Sequence, residues 1–144
     1  MKYLIDTNII CESTKSKPHA GVVTFLRETS PDDLFISVLS IGEIRKGIEK
    51  LKEKDHKKHK LQAWLEKELV NYFAGRIIPI TLEVAEKWGF LLGSSRDPLP
   101  AVDSLIAASA IRHNFVLVTR NIGDFKKFPV EVLNPYTTVT SNQI

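Results

Sequence analysis

Short apolar segments alternate with helix-like segments along the whole chain, and this alternation is the strongest constraint on how the chain can fold. The apolar segments predict five buried strands, at residues 2–5, 34–38, 76–80, 115–118 and 130–133. Continuous apolar strands separated by helices are typical of a parallel sheet whose two faces are both covered. The sequence therefore predicts an α/β protein in which ligands bind beyond the carboxyl ends of the strands.

The segments between the strands carry apolar residues at helical spacing. They predict helices at residues 18–28, 40–51, 57–73, 81–92 and 100–111, with a turn or a single helical turn at 121–125. No helical pattern is recognised before Pro18. Pro79 favours an edge position or a strand end, because proline cannot donate to a sheet ladder. The threonine-rich tail from Asn134 shows no pattern and is expected to fray.

The length of 144 residues fits one domain, which we place at residues 1–135, with a C-terminal tail at 136–144. Cys11 is the only cysteine, so a disulfide within the chain and a cysteine-based zinc site are both excluded. The first apolar run reaches Asp6 after three residues, which is too short for the core of a secretory signal, and no run is long enough to span a membrane. We therefore expect a cytoplasmic protein.

Positive charge is concentrated at residues 45–60, which we call the basic window. The window holds eight basic and three acidic residues, a net charge of +5, whereas the whole chain carries only +3. A basic stripe beside a mildly acidic remainder suits a polyanionic partner. The alternative interpretation is a solvated helix face with charges paired one turn apart.

Four carboxylates lie where predicted strands end or where the following helices begin: Asp6, Glu43, Asp103 and Asp124. Glu43 would complete a capping box with Ser40, and Asp103 suits the positive end of a helix. Asp124 suits a turn or a cap. Asp6 could form an Asx turn, but it is poorly explained by helix capping, because no helical pattern follows it directly.

Taken together, the four acids predict a metal site. Carboxylates that converge on one cleft repel one another unless a cation lies between them, and all-oxygen ligands select Mg²⁺ or Mn²⁺. Such an ion binds phosphate oxygens and activates water for attack on phosphorus. The four histidines lack a catalytic partner, and the sequence has no glycine-rich phosphate loop.

At these acids the sequence resembles the PIN-domain ribonucleases, and within them the VapC-like toxins of toxin–antitoxin pairs. Four stretches carry the resemblance: 3–9 (YLIDTNI), 36–44 (ISVLSIGEI), 99–108 (LPAVDSLIAA) and 117–125 (LVTRNIGDF). It extends from Met1 to about Pro135. It implies a three-layer α/β/α PIN-like fold with a short parallel sheet. It also implies an endoribonuclease that needs Mg²⁺ or Mn²⁺ and forms no covalent intermediate.

The resemblance also implies roles for individual residues. Asp6, Glu43 and Asp103 would be the principal catalytic acids and metal ligands, and Asp124 would be a fourth that acts through water. Asn121 stands where relatives can carry an acid, so the relative importance of Asn121 and Asp124 stays open. The hydroxyls of two threonines would orient water or the scissile phosphate. The residues expected to contact RNA are Thr7, Asn8, Arg45, Lys46, Thr119, Arg120 and Asn121.

The partners that the resemblance implies are an RNA substrate, a cognate antitoxin and a second copy of the chain, with no membrane. Six apolar residues on the predicted helices from Ser40 to Phe73 predict a groove for an amphipathic antitoxin segment, or else they pack only on one another. They are Ile48, Leu51, Leu61, Trp64, Leu65 and Leu69. Two alternatives remain: a non-catalytic RNA-binding module, and aspartyl-phosphate transfer, for which Asn8 stands where a second acid is expected.

Overall fold

The sheet forms from the five predicted segments. In the computed structural model, which describes residues 1–137, the strands are β1 (Tyr3–Ile5), β2 (Leu34–Ser37), β3 (Ile77–Ile78), β4 (Val116–Val118) and β5 (Val132–Leu133). They pair in parallel in the order β3-β2-β1-β4-β5. The central strand is therefore β1, which ends at Asp6, and β3 lies at an edge, as Pro79 predicted.

Eight α-helices are described along residues 1–137. They are α1 (Thr7–Glu12), α2 (Ala20–Glu28), α3 (Val38–Glu49), α4 (His56–Ala63), α5 (Val70–Tyr72), α6 (Leu82–Ser94), α7 (Ala101–His113) and α8 (Ile122–Phe125). A π-helical segment, Trp64–Leu69, joins α4 to α5, so the predicted helix at 57–73 forms with one widened turn. No helix of the described chain is long and apolar enough to cross a membrane.

The helices cover both faces of the sheet. Successive side chains of a strand point to opposite faces, so Ile5 lies in one core and Leu4 in the other. The Ile5 core is completed by α1, α2, α3, the π-helical segment and Phe73 after α5. The Leu4 core is completed by α6, α7 and α8. The three-layer α/β/α prediction is therefore confirmed.

One helix was not predicted, and another begins earlier than its sequence pattern predicted. The prediction that no helix precedes Pro18 is wrong, because α1 begins at Thr7, directly after the first strand. The capping box between Ser40 and Glu43 is also wrong. Helix α3 follows β2 without a loop, and its N-terminal cap is Ser37, whose hydroxyl accepts from the Leu39 N–H at 3.1 Å.

Residues 134–137, which we call the C-terminal strap, pack against α1 and the start of α2. Pro135 is buried, and the Tyr136 hydroxyl donates to the Glu12 carboxylate at 2.6 Å. The Pro135 carbonyl oxygen passes so close to Gly21 that there is no room for a Cβ atom there. The expectation of fraying is therefore wrong for these four residues, and the rest of the tail, 138–144, lies outside the described residues.

The strap predicts an acid-dependent contribution to stability from Glu12. Hydrogen bonds from Tyr136, Lys15 and the His19 N–H lower the pKa of Glu12 from 4.5 to about 2. A carboxylate with a lowered pKa stabilises the fold above its unfolded pKa, and this stabilisation is lost as the pH falls from about 4.5 to about 2. We expect the difference in unfolding free energy between wild type and Glu12→Gln to shrink over that interval in urea titrations. A difference independent of pH would contradict this.

Candidate active site

Asp6 is held in place by the loop that follows β4. It is only 7% exposed and caps α1, with Oδ1 accepting from the Thr7 N–H at 2.8 Å. Its Oδ2 accepts from the Thr119 hydroxyl at 2.7 Å and from Asn8 Nδ2 at 3.1 Å. Three donors therefore fix both oxygens of this carboxylate. Asp6 both follows the central strand β1 directly and caps α1, a helix that the sequence did not predict.

Glu43 is anchored to α1 by a threonine hydroxyl. Thr7 Oγ1 donates to Glu43 Oε1 at 2.6 Å and lies 2.9 Å from the buried Ser40 hydroxyl. The two predicted threonine hydroxyls, on Thr7 and Thr119, thus both donate to carboxylates in this structure. This arrangement favours a role in positioning the acids.

Asp103 is half-buried in the first turn of α7. Burial raises the pKa of Asp103, and the negative charges of Asp6, Asp124 and Glu43 raise it further. These charge effects indicate that the four carboxylates lie near one cleft. Burial also raises the pKa of the Cys11 thiol, with further contributions from Glu43 and Asp6. That thiol is therefore a poor nucleophile at neutral pH.

The carboxylate oxygens around the cleft are the donor atoms that a hard divalent cation prefers. Among residues 1–137, however, no three His, Cys, Asp or Glu side chains already stand close enough to hold an ion. Hydroxyl and amide donors hold Asp6 and Glu43 instead. The oxygen ligands of the cleft therefore fit a divalent metal. In this structure, hydrogen bonds from the protein hold Asp6 and Glu43 in place.

The structure brings most of the predicted RNA-contacting residues to this cleft. The Arg120 N–H donates to Asn8 Oδ1 at 3.2 Å, and the Asn121 N–H donates to the Thr119 hydroxyl at 3.1 Å. Both bonds join the β4–α8 loop to the network around Asp6. The side chain of Asn121 does not cap α8, and Asp124, not Asn121, contributes charge at Asp103.

The two predicted basic residues on α3 separate in the structure. Lys46 lines a groove of about 600 Å³ together with Thr7, Glu43 and Val102. Arg45 does not line it, because its guanidinium pairs with Glu66 at 2.7 Å. Lys50, which belongs to the basic window, lines the same groove.

The basic window is not a uniform solvated face. The side chain of Lys58 is almost fully buried and pairs with Glu53 at 2.6 Å and with Glu49 at 3.9 Å. These contacts tie the start of α4 to the end of α3 and to the loop between them. Neither sequence interpretation predicted a buried lysine, and Lys58 is removed from the set of cations available to a polyanion.

A second concave surface lies between α1, α2 and the π-helical segment. One apolar cavity includes Ile10, Leu26 and Tyr72 in its lining, and a neighbouring one includes Leu61 and Lys57. Both cavities share Ser13, Trp64 and Glu68, so they form one continuous trough, which we call the apolar groove.

Five of the six apolar residues that predicted a groove divide between groove and core, and the half-buried Leu51 belongs to neither. Trp64 and Leu61 line the apolar groove, and Leu69 lines it at its buried end. Leu65 and Ile48 are 2% and 3% exposed and belong to the core beneath. An apolar groove is therefore present at Leu61, Trp64 and Leu69, whereas packing within the core accounts for Leu65 and Ile48.

The fold and the acidic cleft together define the class of this protein. Residues 3–131 match the PIN domain, and the chain belongs to the PIN-domain family. The chain is 32% identical over 136 residues to the toxin FitB of Neisseria gonorrhoeae, covering 92% of this chain and 97% of FitB. The crystal structure of FitAcB from the same organism superposes with a TM-score of 0.86 at 32% identity, covering 94% of this chain and 99% of that one.

A ribonuclease is also among the relatives. The chain is 26% identical over 136 residues to the VapC ribonuclease Y4jK of Sinorhizobium fredii, covering 92% of this chain and 96% of the relative. The family resemblance expected from the four sequence stretches is therefore confirmed.

Proposed function

We propose that this chain is a divalent-metal-dependent endoribonuclease and the toxin of a toxin–antitoxin pair. The observation that carries the proposal is the acidic cleft, where hydrogen bonds hold Asp6 against the β4–α8 loop and Glu43 against Thr7. The raised pKa of Asp103, to which the charges of Asp6, Asp124 and Glu43 contribute, agrees with it. The similarity to a VapC ribonuclease and to the toxin FitB supports it.

The residues of the cleft divide into acids and groups that hold them. Asp6, Glu43 and Asp103 would hold a Mg²⁺ or Mn²⁺ ion, with the exposed Asp124 at the rim. When bound, such an ion neutralises charge on the scissile phosphate and activates water for attack on phosphorus. The donors to Asp6 fix the position of that carboxylate. The Thr7 hydroxyl restrains Glu43 on the other side of the cleft.

The groove beside Glu43 offers a path for the RNA strand. Lys46 on α3 and Lys50 at its C-terminal cap lie one helical turn apart, and neither forms an ion pair within residues 1–137. Cations on one side of an acidic cleft contact phosphates and contribute affinity more than sequence choice. Thr7 lines the groove where it reaches the acids.

One assay separates this function from the two alternatives. Purified protein is incubated with single-stranded RNA in Mg²⁺ and in EDTA, and the products and any phosphoenzyme are analysed. Cleavage that requires Mg²⁺ supports the nuclease. RNA binding without cleavage would support the binding module, and labelled phosphoenzyme would support phosphoryl transfer.

A toxin of this kind acts in the cytoplasm. We also propose that the chain forms a homodimer, and light scattering of the purified protein would measure its mass in solution.

The apolar groove is the surface we propose for the antitoxin. Trp64 and Leu61 present apolar area beside polar side chains such as Glu68, which suits an amphipathic segment. A basic side chain from the same partner could enter the acidic cleft and pair with Asp103, which accepts no hydrogen bond from residues 1–137.

Coexpression tests this partner surface. We expect growth arrest from the chain alone and relief by the neighbouring reading frame. Trp64→Ser combined with Leu61→Ser should weaken capture of that partner by about tenfold or more, because buried aromatic anchors dominate such interfaces. The matched control is Phe90→Ser, at a residue 66% exposed on α6, on the other face of the sheet. Full capture by the folded double variant would place the antitoxin elsewhere.

A further inference from the structure

A cavity of about 580 Å³ lies beside the acidic cleft, between the α1–α2 link, the β4–α8 loop and the C-terminal strap. Its lining includes Lys17, His19, Arg120 and Tyr136, together with Glu12 at its base. The cavity is joined to the cleft through the backbone of Arg120, whose N–H donates to Asn8 Oδ1 while Asn8 Nδ2 donates to Asp6. Two hydrogen bonds therefore separate the wall of this cavity from the central acid.

The cavity is cationic although it contains a carboxylate. Glu12 is neutralised where it lies, because Lys15 Nζ pairs with it at 2.9 Å and two further donors satisfy its oxygens. Lys17 and Arg120 are both exposed, and neither has a carboxylate partner among residues 1–137. Two uncompensated positive charges thus face one concave surface that abuts the acids.

Tyr136 fixes the position of one of these cations. The Arg120 guanidinium lies over the Tyr136 ring at 4.8 Å, and the His19 ring packs on the same tyrosine at 4.6 Å. The Tyr136 hydroxyl is anchored in turn by Glu12. An arginine stacked on an aromatic ring keeps its N–H groups in a preset plane, which suits a phosphate with two oxygens to offer.

We propose that this cavity binds a backbone phosphate of single-stranded RNA, one that flanks the phosphodiester held at the acids, with Lys17 and Arg120 as its ligands and Tyr136 as a positioning residue. The proposal rests on the ribonuclease function proposed above. The site would contact the strand as it leaves the cleft and contribute affinity without sequence preference.

The test measures RNA binding separately from cleavage. The probe is a fluorescent single-stranded RNA 20-mer of mixed sequence, titrated by anisotropy in EDTA at several salt concentrations. We expect Lys17→Gln/Arg120→Gln to weaken binding about tenfold or more and to reduce the salt slope by about 0.7 for each phosphate that the protein no longer neutralises. The control, Arg27→Gln/Lys67→Gln, makes the same change in charge at exposed residues outside the cavity and should leave both quantities unchanged.

Two further variants test the role of Tyr136. Tyr136→Phe keeps the ring beneath Arg120 and should retain most of the binding, whereas Tyr136→Ala should weaken binding to the extent of Arg120→Gln. In cleavage assays with Mg²⁺, the effect should appear in KM, with kcat nearly unchanged, because the cavity lies outside the reacting groups.

The outcomes distinguish this proposal from the proposed function. Normal RNA affinity and salt slope in the double cavity variant, with cleavage by wild type, overturn the phosphate site and leave the ribonuclease standing. Normal RNA affinity with loss of antitoxin capture overturns it in favour of a protein contact. A wild type that neither binds nor cleaves RNA overturns both.

Discussion

Asp103→Asn is expected to reduce RNA cleavage by about 10²- to 10⁴-fold while leaving the fold intact. Asparagine keeps the shape of the side chain but removes the charge that an ion in the cleft would bind. Charge stabilisation by such an ion contributes several kcal/mol at the transition state, and each 1.36 kcal/mol corresponds to a factor of ten in rate. Glu43→Gln should act similarly. Asp124→Asn should be milder, because Asp124 is exposed at the rim of the cleft.

Cleavage of a single-stranded RNA in Mg²⁺, with circular dichroism to verify folding, measures these effects. The matched control is Asp32→Asn, which makes the same chemical change at an exposed residue in the turn before β2. The control should cleave at the wild-type rate. A folded Asp103→Asn variant that cleaves as fast as this control would remove Asp103 from the reaction.

The sheet was predictable because its strands are buried on both faces. A run such as 115–118 needs no alternation of polar and apolar residues when helices cover both sides, so its continuous apolar character identifies a parallel strand. The edge position of β3 was predictable from Pro79, because proline has no N–H to donate to a neighbouring strand. Ligands of parallel sheets bind beyond the carboxyl ends of the strands. The predicted strand ends were therefore enough to single out Asp6 and the loop after β4 as candidate site segments.

Helix α1 was missed because six residues are too few to show a helical period. Ile9 and Ile10 are both buried, so the segment lacks the polar stripe that marks a surface helix. The consequence for the site was direct. Without α1 there was no reason to see Asp6 as a helix cap, or to expect Thr7 to face Glu43 across 36 positions of sequence.

The C-terminal strap could not be predicted from local pattern. Tyr136 meets Glu12 across 124 positions, and the two residues carry no spacing signal that relates them. Lys58 was missed for a similar reason, because a lysine in a run of lysines is expected in solvent. Its burial depends on acids supplied by α3 and by the following loop, which only the fold brings together.

The largest expected effect on stability comes from divalent metal. If the acids hold Mg²⁺, the ion at 100 times its Kd stabilises the fold by about 2.7 kcal/mol, which raises the Tm by roughly 5–10 °C for a chain of this length. Thermal melts in EDTA and across a Mg²⁺ titration measure this rise. We expect Asp6→Asn and Asp103→Asn to lose most of it, and Asp32→Asn to keep it.

The same two variants should move in opposite directions once metal is removed. Asp6→Asn should destabilise the protein by about 1–3 kcal/mol in EDTA, because the amide NH2 cannot accept. Either the Thr7 N–H loses its acceptor, or the Thr119 hydroxyl and Asn8 Nδ2 lose theirs. Asp103→Asn should instead leave the Tm unchanged or raise it.

The unchanged or raised Tm expected for Asp103→Asn follows from the raised pKa of Asp103. Burial and the neighbouring acids raise the pKa of Asp103 above 3.8, so the folded state binds that proton more tightly than the unfolded chain does. Ionised Asp103 therefore penalises the fold at neutral pH, and the penalty disappears as the pH falls below 3.8. Any gain from Asp103→Asn should vanish over the same interval. If Asp103→Asn instead lost stability in EDTA at pH 7, the favourable interaction of Asp103 with the N-terminus of α7 would outweigh its repulsion by the other acids.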